Sequence, residues 1–251
     1  FCRAPGLSRR FRAKYHFVGL QKNLHAAARH DLAEADLIFV QDIRDWETYP
    51  LREFIPDGIE IIKFPFLHFA SLWPFDHYNG PGDTEAYQRE WPNLTFLYHD
   101  GLLARLRREI PDEEARFRAY RALAVAGIVN CVRLHDFERR RLLQMDRQFD
   151  MHIGRYLLEN FQREQLFYTT NHPNRVLLSM LIEWLMGRLG IDDRLPQIGQ
   201  LDHLKRLQVP VHPEVARALG VAWANEHTKY LYEGRIVTWE SYTRAYIAHY
   251  R

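Results

Sequence analysis

Four short apolar runs alternate with helical patterns along this chain of 251 residues, and this alternation constrains its fold more than any other feature. The runs are Asp36 to Gln41, Ile59 to Phe66, Leu94 to His99 and Leu166 to Thr170. Each is rich in β-branched or aromatic residues, which is the composition of β-strands. Strands that alternate with helices predict an α/β fold with a mostly parallel sheet.

Each of the four runs ends in polar or ring-bearing side chains. These side chains are Gln41 and Asp42, His68, His99 and Asp100, and Asn171 and His172. In open α/β sheets, ligands bind at the carboxyl ends of parallel strands. The pattern therefore predicts a ligand site assembled from the strand ends.

The last run leads directly into a helix. From Pro173 to Gly190 the apolar residues recur at helical spacing. Proline fits the first helical turn, which predicts Asn171 or His172 as the cap and leaves the first N–H groups of the helix free. Such a terminus carries roughly half a positive charge and attracts anions.

Two interpretations of this junction remain open on the residues alone. In the first, His172 acts as a general base toward a hydroxyl group, because its ordinary pKa lies near neutrality, and Arg175 clamps a phosphate. In the second, Asn171 only caps the helix and His172 binds a neighbouring carbonyl. The residues predict a ligand site at a strand–helix junction and no particular reaction.

The stretch from Ser71 to Asp83 concentrates aromatic residues, prolines and glycines after the second strand. Trp73, His77 and Tyr78 lie in it. A stiff aromatic loop in this position predicts a lid or a wall of a pocket. The alternative is a packed surface loop without a ligand.

The remaining helices are predicted from periodicity and caps. They are Asp112 to Ala126, Phe137 to Phe161 as one long helix or two joined ones, and a short helix from Val215 to Leu219. A composition change after Ile191 divides the chain into a core at 1–195 and an extension at 196–251, whose aromatic tail from Ala222 to Arg251 is predicted to be helical and packed on the core.

Composition excludes several classes of protein. The net charge of +2 excludes nucleic-acid binding by bulk charge, and no recognition module for nucleic acid is found. No apolar stretch reaches the roughly 20 residues that span a bilayer. Two cysteines, Cys2 and Cys131, do not form a disulfide framework, which indicates a reducing cytoplasm.

Standard catalytic motifs are also missing from the sequence. It lacks HExxH, paired CxxC, GxGxxG and GxxxxGK[ST] patterns, so it predicts neither a metal enzyme nor a common nucleotide cradle. No GxSxG elbow is present, and Ser71 and Ser179 lie in unsuitable contexts for a hydrolase nucleophile.

Three segments together resemble a known family. They are DLIFVQDIRD at Asp36 to Asp45, KFPFLHFASLWP at Lys63 to Pro74, and FYTTNHPN at Phe167 to Asn174. In this order they resemble the WcbI-type polysaccharide-biosynthesis acetyltransferases over about residues 10 to 190. The third segment is the most specific.

The resemblance implies a largely helical fold around a small sheet and a protein that binds coenzyme A. The implied reaction moves an acetyl group from acetyl-CoA to a sugar hydroxyl during capsule or exopolysaccharide assembly. His172 would be the base or orient the thioester, and Gln41 and Asn171 would be polar donors. The groups that would bind the cofactor are Arg175, His68, Trp73, His77 and Tyr78.

One family element is not found where the resemblance leads us to expect it. A Gly-Asn-Cys-Gln motif follows the first strand in the family, and nothing like it opens this chain. Either the start is cut away or disordered, or this member has lost the motif. Three alternatives to the transferase are an SGNH-like carbohydrate esterase, a non-catalytic module for coenzyme A or a nucleotide sugar, and a scaffold that binds a partner through its aromatic tail. The oligomeric state is left open.

Overall fold

The computed structural model describes residues 5–16, 25–42, 46–76, 96, 98–122, 130–191 and 202–250. In these residues helices predominate around short strands, which confirms the predicted α/β class. The described helices are α1 (Pro5–Arg10), α2 (His25–Ala33), α3 (Gly101–Glu109), α4 (Glu113–Ala122), α5 (Cys131–Phe149), α6 (Ile153–Asn160), α7 (Arg175–Arg188), α8 (Pro213–Ala218) and α9 (Trp239–His249). The strands are β1 (Leu37–Gln41), β2 (Glu60–Phe64), β3 (Phe167–Thr169), β4 (His172–Pro173), β5 (Tyr230–Tyr232) and β6 (Arg235–Val237).

The strands form three separate pairs. β1 and β2 pair in parallel, as predicted, with Leu37 opposite Glu60 and Gln41 opposite Phe64. The other two pairs, β3 with β4 and β5 with β6, are antiparallel. The expectation that all the strand ends share one sheet edge is therefore wrong for the described residues, because β3 turns back on itself and pairs locally. Part of the third predicted run lies outside the described residues, and Phe96, Tyr98 and His99 of it are not in a strand.

The predicted helix from Phe137 to Phe161 is two joined helices. Asn130 caps the start of α5, and Asp150, the residue after its last, has a left-handed conformation with φ of 51°. Asp146 then accepts the backbone N–H of Gly154 and of Arg155, at 2.8 Å each, in the first turn of α6. A carboxylate of the first helix therefore fixes the start of the second.

The predicted helical tail also contains a β-hairpin. β5 and β6 are joined by Glu233 and Gly234, whose φ angles of 47° and 76° are the positive values that tight hairpin turns require. The alternation Tyr230–Leu231–Tyr232 places both tyrosines in the interior. The positive φ angles of Glu233 and Gly234 therefore allow a hairpin in a segment whose aromatic content predicts a helix.

One large apolar core joins most of the described chain. It includes the segment from Leu67 to Phe75, side chains of α3 to α7, and residues of the C-terminal part such as Trp239 and Tyr246. The residues beyond 202 thus pack on the same core as the rest. Within the described ranges, no helix has the length and apolar character needed to cross a bilayer.

Candidate active site at the β3–β4 junction

The helix after the junction is capped by Asn174. Its Oδ1 accepts the N–H of Val176 at 3.0 Å and of Leu177 at 3.2 Å. The prediction that Asn171 or His172 caps this helix is therefore wrong, and two of its first amides are already bound. The reason is that Pro173 lies in β4 opposite Phe167, so the helix begins at Arg175 rather than at the proline.

The tight turn between β3 and β4 leaves Asn171 and His172 outside the helix. The Tyr98 hydroxyl donates to Asn171 Oδ1, and Thr169 Oγ1 lies 2.9 Å from the Tyr98 hydroxyl oxygen. The Tyr98 ring stands perpendicular to the His172 ring, with centroids 6.1 Å apart. One tyrosine thus contacts both predicted junction residues.

His172 is half-buried and carries an unused ring nitrogen. Its Nδ1 is buried and has no hydrogen-bond partner in the described part of the chain. Burial lowers the pKa of His172 below its ordinary value, because desolvation disfavours the charged ring. The imidazole is therefore neutral near pH 7, which is the state that a proton acceptor requires.

Asn171 offers donors on the same turn. Its side-chain oxygen is occupied by Tyr98, and its Nδ2 makes no hydrogen bond to the described residues. An amide whose oxygen is already bound is held in one orientation and presents its two N–H groups outward. A neutral imidazole and a pair of hydrogen-bond donors therefore lie on adjacent residues.

Other predicted site residues are placed differently. Gln41 is exposed at the end of β1, and no described contact joins it to His172. Arg175 is exposed at the first position of α7 and forms no ion pair with the described carboxylates. His77 and Tyr78 lie outside the described residues.

His68 lies beside an ion pair between buried Glu138 and half-buried Arg141. Glu138 is 3% exposed, accepts the N–H of Ala70 at 3.2 Å, and pairs with Arg141 at 3.1 Å. The His68 Nδ1 lies 3.9 Å from Glu138 Oε2, and Arg141 donates to the His68 carbonyl. Burial lowers the pKa of His68. The ion pair anchors the segment after β2 to α5.

A cavity of about 60 Å³ lies next to the junction. Trp73 lines it, together with Tyr98 and Thr169 of the junction network. The indole N–H of Trp73 donates to the carbonyl of Val209 at 3.1 Å, so only its ring is available to a ligand. The sequence predicts that the loop with Trp73 forms a lid or a wall of a pocket, and Trp73 lines this cavity.

The strand-end pattern predicts His99 and Asp100 as part of a ligand site, and both residues line this cavity. Asp100 accepts the N–H of Leu102 and Leu103 and the hydroxyl of Tyr120, and burial raises its pKa to about 6. Thr170 donates to Asp76 at 2.8 Å. The only sequence signal was the turn His99-Asp100-Gly101, because the remaining partners come from distant segments.

A serine–histidine pair also occurs, between Ser71 Oγ and His135 Nδ1 at 3.2 Å. Ser71 is fully buried, and the His135 ring packs against Phe69 and Phe161. No substrate carbonyl can reach that hydroxyl, so the pair does not supply the nucleophile of an esterase. Nowhere among the described side chains do three metal-ligating groups converge.

The β3–β4 junction lies in a part of the chain that matches a known protein family. The family model of the polysaccharide biosynthesis enzyme WcbI matches residues 3–194, which include the β3–β4 junction. The chain belongs to the WcbI family. Among solved structures, one of WcbI matches with a TM-score of 0.64 and 18% identity, over 93% of this chain and 78% of that one. At this identity the likeness shows the fold alone, and it confirms the predicted fold class.

The solved WcbI structure is described as that of a novel polysaccharide biosynthesis enzyme, in its native form without a disulfide bond between coenzyme A and a cysteine of that protein. No functionally curated protein matches the chain. The WcbI match ends at 194, whereas the cavity wall also contains Val209, His212 and Tyr246 from beyond it. The junction thus lies inside the WcbI family region, and part of the adjoining cavity lies outside it.

Proposed function

We propose that this chain is an O-acetyltransferase that moves an acetyl group from acetyl-CoA to a sugar hydroxyl during assembly of a capsular or extracellular polysaccharide. Membership of a polysaccharide biosynthesis family supports the substrate class, and the coenzyme A named with the solved relative supports the donor. The observation that carries the proposal is the neutral, half-buried His172 ring, which lies next to the oriented amide of Asn171.

The reaction assigns a role to each junction residue. His172 accepts the proton of the sugar hydroxyl while that oxygen attacks the thioester carbonyl. The N–H groups of Asn171 Nδ2 donate to the oxyanion that forms, and the protonated ring returns its proton to the departing coenzyme A thiolate. Tyr98 and Thr169 hold Asn171 in place.

The remaining predicted residues contact the substrates in this proposal. Arg175 is exposed, so its guanidinium can form a bidentate contact with a coenzyme A phosphate. The Trp73 ring and His68 lie on the segment after β2, and with His77 and Tyr78 they would flank the pantetheine arm or the sugar. Gln41 would contribute a polar donor from the end of β1.

Turnover of a histidine variant tests the base. His172→Asn removes the proton acceptor and should lower acetyl-CoA turnover by about a hundredfold or more, since general base catalysis typically contributes that much. The measurement is the release of free thiol in the presence of a sugar acceptor. His227→Asn is the matched control, because the His227 side chain is 88% exposed and it should turn over like the unchanged chain. Equal turnover of His172→Asn and the unchanged chain would remove His172 from the mechanism.

The alternatives differ in what they do with coenzyme A. A chain that binds it should gain about 2.7 kcal/mol of stability at a ligand concentration a hundred times Kd, which a thermal shift detects. A shift without acceptor-dependent thiol release would indicate a binding module, and acetate release from an acetylated glycan without coenzyme A would indicate an esterase. No shift with coenzyme A or acetyl-CoA would contradict both the transferase and the module.

A further inference from the structure

Arg116 is a buried cation without a carboxylate partner. It lies in α4, is 3% exposed, and forms no ion pair with the described residues. Its Nε donates to the carbonyl of Ile110 at 3.0 Å and its Nη2 to that of Pro111 at 2.9 Å. Burying an unpaired charge costs several kcal/mol, so buried guanidinium groups normally have an anionic partner.

The backbone offsets this charge only in part. Ile110 closes α3, and the carbonyl end of a helix carries roughly half a negative charge. The two carbonyl contacts therefore leave part of the positive charge of Arg116 uncompensated. Its Nη1 makes no hydrogen bond to the described residues.

A second arginine meets Arg116 at a small cavity. Arg107, in the last turn of α3, is half-buried and also forms no ion pair with the described carboxylates. Both arginines line a cavity of about 20 Å³, which has room for about one water molecule. Tyr250 of the C-terminal segment lines it as well.

This small cavity adjoins the larger one beside the junction. His99, Leu103 and Tyr246 line both. The larger cavity reaches Tyr98, which contacts His172. The two arginines thus lie on the far side of a shared wall from the cavity next to the proposed reaction centre.

We infer that Arg107 and Arg116 form an oxyanion subsite that holds the phosphate group of a substrate. The inference rests on the proposed acetyl transfer for the identity of that substrate. Two guanidinium groups suit phosphate because each presents several N–H donors in a planar fork. Because the cavity holds about one water, one or two phosphate oxygens enter it and the rest of the group stays toward solvent.

Inorganic phosphate is the first probe. Thermal unfolding is measured in phosphate and in chloride at matched ionic strength for the unchanged chain, Arg107→Gln and Arg108→Gln. Arg108 is the matched control, because it follows Arg107 on α3 but is exposed and does not line the cavity. The general stabilising effect of phosphate on folded proteins acts equally on all three.

Beyond this general effect, we expect phosphate to stabilise the unchanged chain and Arg108→Gln further, and by the same amount. Arg107→Gln should bind phosphate about tenfold more weakly, since it loses charge-assisted hydrogen bonds. The subsite is overturned if the unchanged chain shows no additional shift, or if Arg107→Gln keeps it.

A second experiment identifies the source of the phosphate. The ratio of the Kd values for 3′-dephospho-CoA and coenzyme A is measured in the unchanged chain and in Arg107→Gln. A ratio that falls toward one in the variant assigns the subsite to the coenzyme A 3′-phosphate. Equal weakening of both ligands assigns it to the coenzyme A diphosphate, which dephospho-CoA retains. Weaker inorganic phosphate binding with both Kd values unchanged assigns it to a phosphorylated acceptor. No phosphate effect in the unchanged chain while that chain still transfers acetyl groups would contradict the subsite alone. Absent transfer with intact phosphate binding in the unchanged chain would contradict only the proposed reaction.

Discussion

Asp100 and His212 bind opposite sides of one residue, Tyr120. The Tyr120 hydroxyl donates to Asp100, and the His212 Nε2 lies 3.2 Å from the Tyr120 carbonyl oxygen. The His212 Nδ1 accepts the N–H of Glu214, so the ring is neutral with its proton on Nε2. Burial raises the pKa of Asp100 to about 6 and lowers the pKa of His212 to about 4.

These two shifts change stability in opposite directions with pH. The folded state favours protonated Asp100, so acidification through about pH 6 stabilises the fold. It also favours neutral His212, so acidification from the ordinary pKa of about 6.5 toward 4 destabilises the fold. Each effect amounts to roughly 2 to 3 kcal/mol, and Asp100 lies at the lower end because its residue is partly exposed beside a cavity. The two largely cancel.

Replacing Asp100 should leave the pH dependence of stability that His212 contributes without its opposing effect. Asp100→Asn keeps an oxygen for the amides of Leu102 and Leu103 but cannot titrate. When the pH falls from about 7 to about 4, this variant should lose about 2 kcal/mol more free energy of unfolding than the unchanged chain. Urea denaturation at both pH values measures the difference.

His212→Asn is the complementary variant. Asn can still cap α8, and without the titrating ring the chain should lose about 3 kcal/mol less on the same acidification. Parallel pH profiles for both variants and the unchanged chain would show that neither buried group changes its protonation on folding.

At the scale of elements, the contact between α5 and α6 depends on a glycine. A Cβ added at Gly154 would lie 2.5 Å from the carbonyl oxygen of Leu142 and 2.9 Å from its carbonyl carbon. Both are backbone atoms of a helix, so the clash can be relieved only by separating the two helices. The close approach therefore requires glycine at position 154, whose backbone N–H also binds Asp146.

Replacing Gly154 and Gly187 by alanine should change the free energy of unfolding in opposite directions. Gly154→Ala should lower the free energy of unfolding by about 1 to 3 kcal/mol through overpacking. Gly187→Ala, in α7 with nothing within 4 Å of the added Cβ, should raise it by about 0.5 to 1 kcal/mol because alanine favours the helix. Chemical denaturation of both variants measures the two changes. A destabilising Gly187→Ala with a neutral Gly154→Ala would contradict the helix packing described for this pair.

An element can be predicted from the sequence when the residues that determine it are neighbours in the chain. The strand predicted from Asp36 to Gln41 rests on a continuous apolar run, and β1 spans Leu37–Gln41. The start of α7 was misplaced because Pro173 suits both a helix N-terminus and a short strand, and only its pairing with Phe167 decides between them. The contact of Tyr98 with Asn171 joins positions 73 apart, and no spacing rule in the sequence encodes it.

At the scale of the whole molecule, the C-terminal residues complete the core that the earlier helices begin. Tyr242 packs perpendicular to Phe96 at 5.3 Å, and the Trp73 indole binds the carbonyl of Val209. Leu177 of α7 is fully buried in the same cluster. The change of composition near residue 195 therefore does not separate two cores, because described side chains from both sides pack in one interior.

Unfolding should accordingly be a single transition. Leu177→Ala and Tyr242→Ala remove buried side chains on the two sides of residue 195, and each should lower the free energy of unfolding by about 2 to 5 kcal/mol. Because the residues share one core, both variants should shift the whole transition, with far-ultraviolet and near-ultraviolet circular dichroism remaining coincident. If the extension folded by itself, Tyr242→Ala would instead split the melting curve, with the helices before residue 195 still unfolding at the temperature of the unchanged chain.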